Sequence, residues 1–129
     1  MNVLDENIIH SQRDKLRQWR IPFRQIGAEM GHVGVPDAEI IPLLLRLKKP
    51  TFFTRDFDFF RAELRHPRYC LAWLNVRPDL AAFYVRRFLR HRNFHTHEQR
   101  LGKVIRIHFE GLEYWQPGES GACSVQWLV

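Results

Sequence analysis

Short apolar runs alternate along the chain with longer stretches in which apolar residues recur every three or four positions. The short runs predict β-strands, and the longer stretches predict amphipathic helices. The predicted strands cover Asn2–Leu4, Phe23–Ile26, Thr51–Thr54 and Tyr69–Leu74. The predicted helices run from Ser11 to about Arg20, from Asp37 to about Leu47, and from Pro78 to about His91. This alternation predicts an α/β fold, a three-layer sandwich with a mainly parallel central sheet.

Three segments depart from this simple pattern. Pro42 falls inside the second predicted helix, where it should kink the helix or delay its start. Val104–Phe109 alternates only in part, which is typical of an edge strand. The tail that follows it, up to residue 129, ends in apolar residues that should not lie free in water. Trp115, Trp127, Leu128 and Val129 therefore predict an edge strand in the core, a dimer contact or a partner surface.

The composition narrows the class of protein. With 129 residues, 45% apolar and 26% charged, the chain is expected to form one globular domain over residues 1–129 rather than a disordered segment or a coiled coil. The longest apolar run, residues 40–45, is too short to cross a membrane. The first residues lack the cationic and apolar regions of a secretory signal. Two cysteines form no disulfide framework, so we expect a cytoplasmic protein in a reducing compartment.

The charge is unevenly distributed. Twenty Lys and Arg residues against fourteen Asp and Glu residues give a formal net charge of +6, which favours a polyanion such as nucleic acid as partner. Residues 59–108 hold eleven basic and three acidic residues. Arg86, Arg87 and Arg90 lie in the densest basic stretch and are candidates for contacting an RNA backbone. The alternative is an ordinary solvated helix face.

Four aspartates lie where predicted strands end or a helix begins. Asp5 and Asp56 follow the first and third strands, Asp37 begins the second helix, and Asp58 lies two residues beyond Asp56. The carboxyl ends of parallel strands share one edge of a sheet, so these acids can converge there. Their mutual repulsion would be relieved by Mg²⁺ or Mn²⁺, which can activate water against a phosphodiester. The alternative for each aspartate is a turn former or helix cap.

Three sequence blocks resemble the signature blocks of the PIN-like domain family, bacterial relatives of the PIN-domain toxins of type II toxin–antitoxin modules. The blocks are Asp5-Glu6-Asn7, Pro36-Asp37-Ala38-Glu39-Ile40 and Phe53-Thr54-Arg55-Asp56-Phe57-Asp58-Phe59. The resemblance covers roughly residues 1–90. It implies a Rossmann-like PIN fold, a bound Mg²⁺ or Mn²⁺, and cleavage of RNA.

The resemblance also assigns roles to single residues. Asp5, Asp37 and Asp56 match the acidic, metal-binding positions, and Asp58 is an additional catalytic candidate. Arg55 is expected to steer a substrate phosphate, or else to pair with Asp37 or Asp58. The partners implied are RNA and a cognate antitoxin protein, with a homodimer as a further expectation and no membrane. The alternative function is a catalytically silent PIN-like module that binds RNA or protein.

Two polar neighbours of these acids are expected to assist them. Asn7 could orient a water on the ion, and Thr54 could hydrogen-bond a carboxylate or a phosphate.

Overall fold

The computed structural model of the chain describes residues 1–127. The strands are β1 Asn2–Leu4, β2 Arg24–Gln25, β3 Thr51–Thr54, β4 Cys70–Leu74, β5 Val104–His108, β6 Gly111–Trp115 and β7 Cys123–Gln126. The α-helices are α1 His10–Gln18, α2 Asp37–Leu45, α3 Ala81–Leu89 and α4 His97–Arg100. Short 3₁₀ turns cover Phe57–Phe59, Ala62–Leu64 and Pro78–Leu80.

The described strands form one sheet in the order β2-β1-β3-β4-β5-β6-β7. The strands from β2 to β5 are parallel, whereas β6 and β7 pair antiparallel. The register aligns Leu4 with Phe53, Phe53 with Ala72, and Ala72 with Ile105. Neighbouring residues of each strand point to opposite faces, so the sheet has two apolar faces to cover. The predicted α/β class with a mainly parallel sheet is confirmed.

Helices cover both faces, which gives three layers. On one face, Leu16 of α1 and Phe88 of α3 belong to the same buried cluster as Phe53. On the other face, Ile40 and Leu44 of α2 pack in the cluster that contains Phe52, Leu71 and Val104. The buried strands are almost continuously apolar because both of their faces are covered.

Helix α2 begins at Asp37 and continues through Pro42 to Leu45. The alternative of a later start is therefore wrong. The N-cap residue is Pro36, and Asp37 is the first residue inside the helix. The first turn also holds Glu39, and acidic side chains are favoured there by the helix dipole.

The prediction that Val104–Phe109 forms an edge strand is wrong. Strand β5 is interior, because it pairs with β4 on one side and β6 on the other. The alternation suggested an exposed edge because Arg106 is polar, but this side chain lies over the Trp73 ring at 5.7 Å and 3.6 Å from Glu113.

The C-terminal segment supplies the two further strands β6 and β7, and β7 lies at one edge of the sheet. Trp127 is buried in the core, and its indole Nε1 donates a hydrogen bond to the carbonyl of His108 at 2.7 Å. Trp115 packs against Phe60, with ring centroids 4.5 Å apart. The core packing predicted for this segment is confirmed for both tryptophans, while Leu128 and Val129 lie outside the described residues.

Both cysteines are free thiols, as predicted. Complete burial in β4 raises the pKa of the Cys70 thiol to about 12, which removes it as a nucleophile candidate. Across residues 1–127, none of the helices combines the length and the apolar character needed to cross a membrane.

Candidate metal centre at the carboxyl ends of β1 and β3

The order of the strands reverses between β1 and β3. From β1 the chain moves outward to β2, and it returns through α2 to β3 on the other side of β1. In open α/β sheets, such a reversal leaves a crevice at the carboxyl ends of the two strands, where ligands usually bind. Asp5 directly follows β1, and Asp56 lies two residues beyond β3. The aspartates predicted at strand ends thus flank the crevice.

Three of the four candidate aspartates meet there. Asp37, Asp56 and Asp58 each place a carboxylate oxygen within 4.8 Å of the others, and we call these three residues the carboxylate cluster. Asp37 comes from the start of α2, whereas Asp56 and Asp58 come from the segment after β3. Asp5 lies beside the cluster, close enough for its charge to act on Asp37. The trio that meets therefore contains Asp58 in the place that the resemblance gives to Asp5.

Thr54 joins the two strand ends at this site. Its buried hydroxyl donates a hydrogen bond to Asp5 Oδ2 at 2.6 Å and accepts one from the backbone N–H of Asp56 at 3.0 Å. Asp56 in turn accepts at Oδ1 from the N–H of Asp58 at 2.9 Å, which caps the following 3₁₀ turn. The prediction that Thr54 bonds a carboxylate is confirmed. These bonds fix the orientation of two carboxylates before any ligand binds.

Asn7 fastens the loop after β1 to the loop after β3. Its side-chain oxygen accepts from the backbone N–H of Arg55 at 3.2 Å, and its amide nitrogen donates to the Thr54 hydroxyl at 3.4 Å. Both the oxygen and the nitrogen of the amide therefore form hydrogen bonds within the protein, and these bonds hold the two loops together.

Two carboxylates of the site are harder to ionise than usual. Partial burial raises the pKa of Asp5, and the negative charges of Asp56 and Glu6 raise it further. The hydrogen bond from Thr54 lowers the same pKa but does not cancel the rise. Partial burial also raises the pKa of Asp37, as do the negative charges of Asp56, Asp5 and Asp58. Because Asp37 is exposed to solvent, we regard the neighbouring charges as the main physical cause there. The site thus carries more negative charge than its own residues neutralise.

A buried polar network supports the backbone behind Asp5. Gln25 of β2 donates from its amide nitrogen to the carbonyls of Asp5 at 3.1 Å and Ile8 at 2.9 Å. Arg13 of α1 donates to the Gln25 side-chain oxygen at 2.6 Å and to Glu29 at 2.5 Å. The sequence analysis missed these positioning residues. The signal was Arg13 itself, which is spaced four and three residues from Ile9 and Leu16 on an otherwise apolar face.

Glu6 holds the glycine-rich loop that leads into α2. Its carboxylate accepts from the backbone N–H of Gly34 at 2.9 Å. Gly27 adopts a positive φ of 87°, and a Cβ there would meet the Glu6 side chain at 3.0 Å. The positive φ favours glycine, and a Cβ at Gly27 would force the Glu6 side chain to shift away from the loop that it holds at Gly34.

The predicted arginines divide into two locations. Arg55 lies at the crevice, where its guanidinium donates to the carbonyl of Val76 at 3.4 Å. Within residues 1–127, Arg55 forms no ion pair with Asp37 or Asp58, so that alternative is wrong.

The other arginines lie along α3. A groove of about 400 Å³, which we call the arginine groove, is lined by Phe83, Arg86, Arg87, Arg90, His91, Arg92 and Trp127. The guanidinium of Arg86 stacks 3.7 Å from the centre of the Trp19 ring, and that of Arg87 lies 4.6 Å from Trp127. None of the four aspartates lines this groove.

No match is found when the chain is compared with protein-family models, with curated proteins and with solved structures. The resemblance to the PIN-like family therefore still depends on the three sequence blocks alone. The functional argument below starts from the geometry of the crevice.

Proposed function

We propose that this protein is a metal-dependent ribonuclease of PIN-like type that uses Mg²⁺ or Mn²⁺. The observation that carries the proposal is the convergence of Asp37, Asp56 and Asp58 within 4.8 Å at the point where the strand order reverses. Three carboxylates from two separate chain segments repel one another unless a cation or protons lie between them.

The donor set fits a hard divalent cation. Asp37, Asp56 and Asp58 would hold the ion, with Asp5 beside them, and all four offer only carboxylate oxygens. Oxygen ligands of this kind are those that Mg²⁺ and Mn²⁺ prefer, whereas Zn²⁺ sites usually contain histidine or cysteine. Partial burial and the neighbouring negative charges raise the pKa values of Asp5 and Asp37, and a cation bound here would relieve the part that comes from charge repulsion.

A divalent ion bound here would supply an activated water and neutralise charge at a phosphodiester during in-line displacement. The residues of the chain would provide the positioning. Thr54 holds Asp5 by its hydroxyl and Asp56 by its backbone, while Asn7 keeps the two loops together. Arg55 directly precedes Asp56 in the chain, and its guanidinium, which bonds the carbonyl of Val76, would attract the substrate phosphate.

The proposed substrate is RNA, and the net charge of +6 favours such a polyanion. Arg86, Arg87 and Arg90 would contact its backbone away from the cleaved bond. We extend the proposal to a toxin of a cytoplasmic toxin–antitoxin pair, with a cognate antitoxin protein as partner and a homodimer as the assembly to look for. This extension is supported by the three sequence blocks.

The direct experiment measures cleavage of a labelled single-stranded RNA by the purified chain. We expect cleavage with Mn²⁺ or Mg²⁺ and none with a chelator. Asp56→Asn should reduce the rate by at least about 100-fold, because altering even the partners of metal ligands typically costs ~10- to 100-fold.

Asp14→Asn is the matched control, since it removes one exposed carboxylate of α1 outside the crevice. Cleavage that persists in Asp5→Asn and Asp56→Asn variants, both folded by circular dichroism, contradicts the proposal. RNA binding without any cleavage would instead favour the catalytically silent module.

A further inference from the structure

A second cleft opens at the carboxyl ends of β4 and β5, which is the same end of the sheet as the carboxylate cluster. It has a volume of about 530 Å³. Its apolar walls include Val76, Leu80, Tyr84 and Phe109, and its polar edge includes Asn75 and His108. We call this cleft the base cleft. A pocket with apolar faces and a few polar groups suits a flat, partly polar ligand.

Phe109 is the most unusual residue of this cleft. Its side chain is 71% exposed at the two-residue turn between β5 and β6, where polar residues and glycine are normally preferred. The turn is held firmly, because Trp127 donates from its indole to the carbonyl of His108 at 2.7 Å and from its backbone to that of Glu110 at 3.3 Å. The protein therefore presents an exposed aromatic ring on a fixed support.

Asn75 and Arg106 form the polar edge. With its amide oriented to satisfy both contacts, Asn75 accepts from Arg106 Nε at 3.1 Å and Nη2 at 3.0 Å. Arg106 also lies 3.6 Å from Glu113, which keeps the guanidinium in place. The amide nitrogen of Asn75 takes no part in these two contacts, so it can hydrogen-bond the edge of a nucleobase while the apolar walls cover its faces.

The base cleft and the carboxylate cluster lie at the same end of the parallel sheet. Arg55, which directly follows β3, donates to the carbonyl of Val76 in the lining of the cleft. Strands β3 and β5 are separated by β4 alone, so their ends lie roughly 10 Å apart. Neighbouring nucleotides of an extended strand can bridge such a distance. A phosphate near Asp56 would thus bring an adjacent base toward Phe109.

We propose that the base cleft binds a nucleobase adjacent to the cleaved phosphodiester, stacked on Phe109. This inference rests on the ribonuclease function proposed above. It makes the preferred substrate single-stranded RNA, because a base within a duplex is already stacked on its neighbours and cannot enter the cleft.

The test measures binding rather than cleavage. Fluorescence anisotropy, with chelator present, compares oligoadenylate of about ten nucleotides with an abasic ribose–phosphate strand of equal length. Phe109→Ala should weaken binding of oligoadenylate by between ~5- and ~150-fold and leave the abasic strand unchanged, since stacking on an aromatic side chain contributes this much per base. Phe109→Tyr keeps an aromatic ring and should retain the binding of oligoadenylate.

Equal effects of Phe109→Ala on both strands, or no effect on either, would overturn the base cleft. Because the Phe109 side chain is mostly in solvent, its truncation should leave the core intact, and circular dichroism checks this. The two proposals fail separately. Base-dependent binding at Phe109 without any metal-dependent cleavage refutes the ribonuclease alone, whereas cleavage with Phe109→Ala binding like the parent refutes the base cleft alone.

Discussion

The carboxylate cluster and the arginine groove are built in different ways. The cluster brings together α2 and the segment after β3, with Asp5, which follows β1, beside it. The Thr54 hydroxyl holds the carboxylate of Asp5, and the backbone N–H of Asp58 holds that of Asp56. The arginine groove takes most of its charge from one helix and its C-terminal continuation, and its best-defined contacts are guanidinium groups lying over Trp19 and Trp127.

This difference in construction suits the cluster to metal binding and the arginine groove to electrostatic attraction of RNA. Short bonds from a buried hydroxyl hold a carboxylate in one orientation, which metal binding requires. Long arginine side chains lying over the rings of Trp19 and Trp127 attract a polyanion without fixing its position. Changes in the cluster should therefore alter cation affinity and cleavage, whereas changes in the groove should alter RNA affinity and its dependence on salt.

Thr54→Val should give the largest effect of a residue that is not itself a proposed ligand. It removes the hydroxyl that holds Asp5 and accepts from the N–H of Asp56. We expect a loss of about 1–3 kcal/mol in the free energy of unfolding, measured by urea denaturation, because buried partners lose their hydrogen bonds. Cation affinity should fall by ~10- to 100-fold. Thr54→Ser keeps the hydroxyl and should resemble the parent; a valine variant with parental affinity would contradict the positioning role.

Gly27→Ala tests how the glycine-rich loop is placed. The positive φ and the Glu6 side chain at 3.0 Å should together cost about 1–3 kcal/mol of unfolding free energy. Gly34→Ala is the matched comparison, because Gly34 has a φ of 78° and open space where a Cβ would lie. It should lose only the ~1–2 kcal/mol of the left-handed conformation. Equal losses for both variants would show that the Glu6 side chain moves aside without cost and that its close approach does not constrain Gly27.

The arginine groove should behave as an electrostatic surface. Arg87→Ala and Arg90→Ala are each expected to weaken RNA binding by about fivefold, and each should reduce the slope of log affinity against log salt by about 1. Asp14→Asn, on α1 outside the groove, is the control. If the salt slope is unchanged in both arginine variants, the groove does not contact the RNA backbone.

Asp37→Asn should give the smallest effect, and its sign is informative. The pKa of Asp37 is raised in the folded state, so its ionised form destabilises the fold. Stability therefore falls as the pH rises from the ordinary pKa of an aspartate through the raised pKa of the folded state. In chelator at neutral pH, the variant should therefore be more stable than the parent by about 0.5 kcal/mol, since Asp37 is exposed. The difference should vanish below about pH 3, where the carboxyl is protonated in both states. Thermal denaturation across pH measures it, and a destabilised variant would contradict the repulsion.

The sequence predicts most of the parallel core because β1, β3, β4 and α3 are marked by apolar runs or by helical periodicity. It places β5 at an edge because the polar Arg106 suggests solvent, whereas this side chain is held between Asn75 and Glu113. No hairpin is predicted for β5 and β6, because the two-residue turn Phe109–Glu110 lacks the Asn-Gly or Asp-Gly pair that marks such a turn.

At the candidate metal centre, too, some features are marked by a local sequence pattern and others are not. The aspartates are predictable because Asp5 and Asp37 stand at a strand end and a helix start, and the other two follow within four residues of the end of β3. The contacts of Gln25 with Asp5 and of Glu6 with Gly34 join residues 20 and 28 positions apart. They act through backbone atoms, which every residue carries, so the sequence gives no sign of them.

The most direct measurement of the central claim is a calorimetric titration of the metal-free protein with Mn²⁺. The parent chain and Asp14→Asn should bind with one saturable site and equal affinity, while Asp56→Asn and Asp58→Asn should each lose at least about tenfold. Equal binding by all four proteins would mean that the ion is only attracted to the surface, and this would contradict a metal centre at the carboxyl ends of β1 and β3.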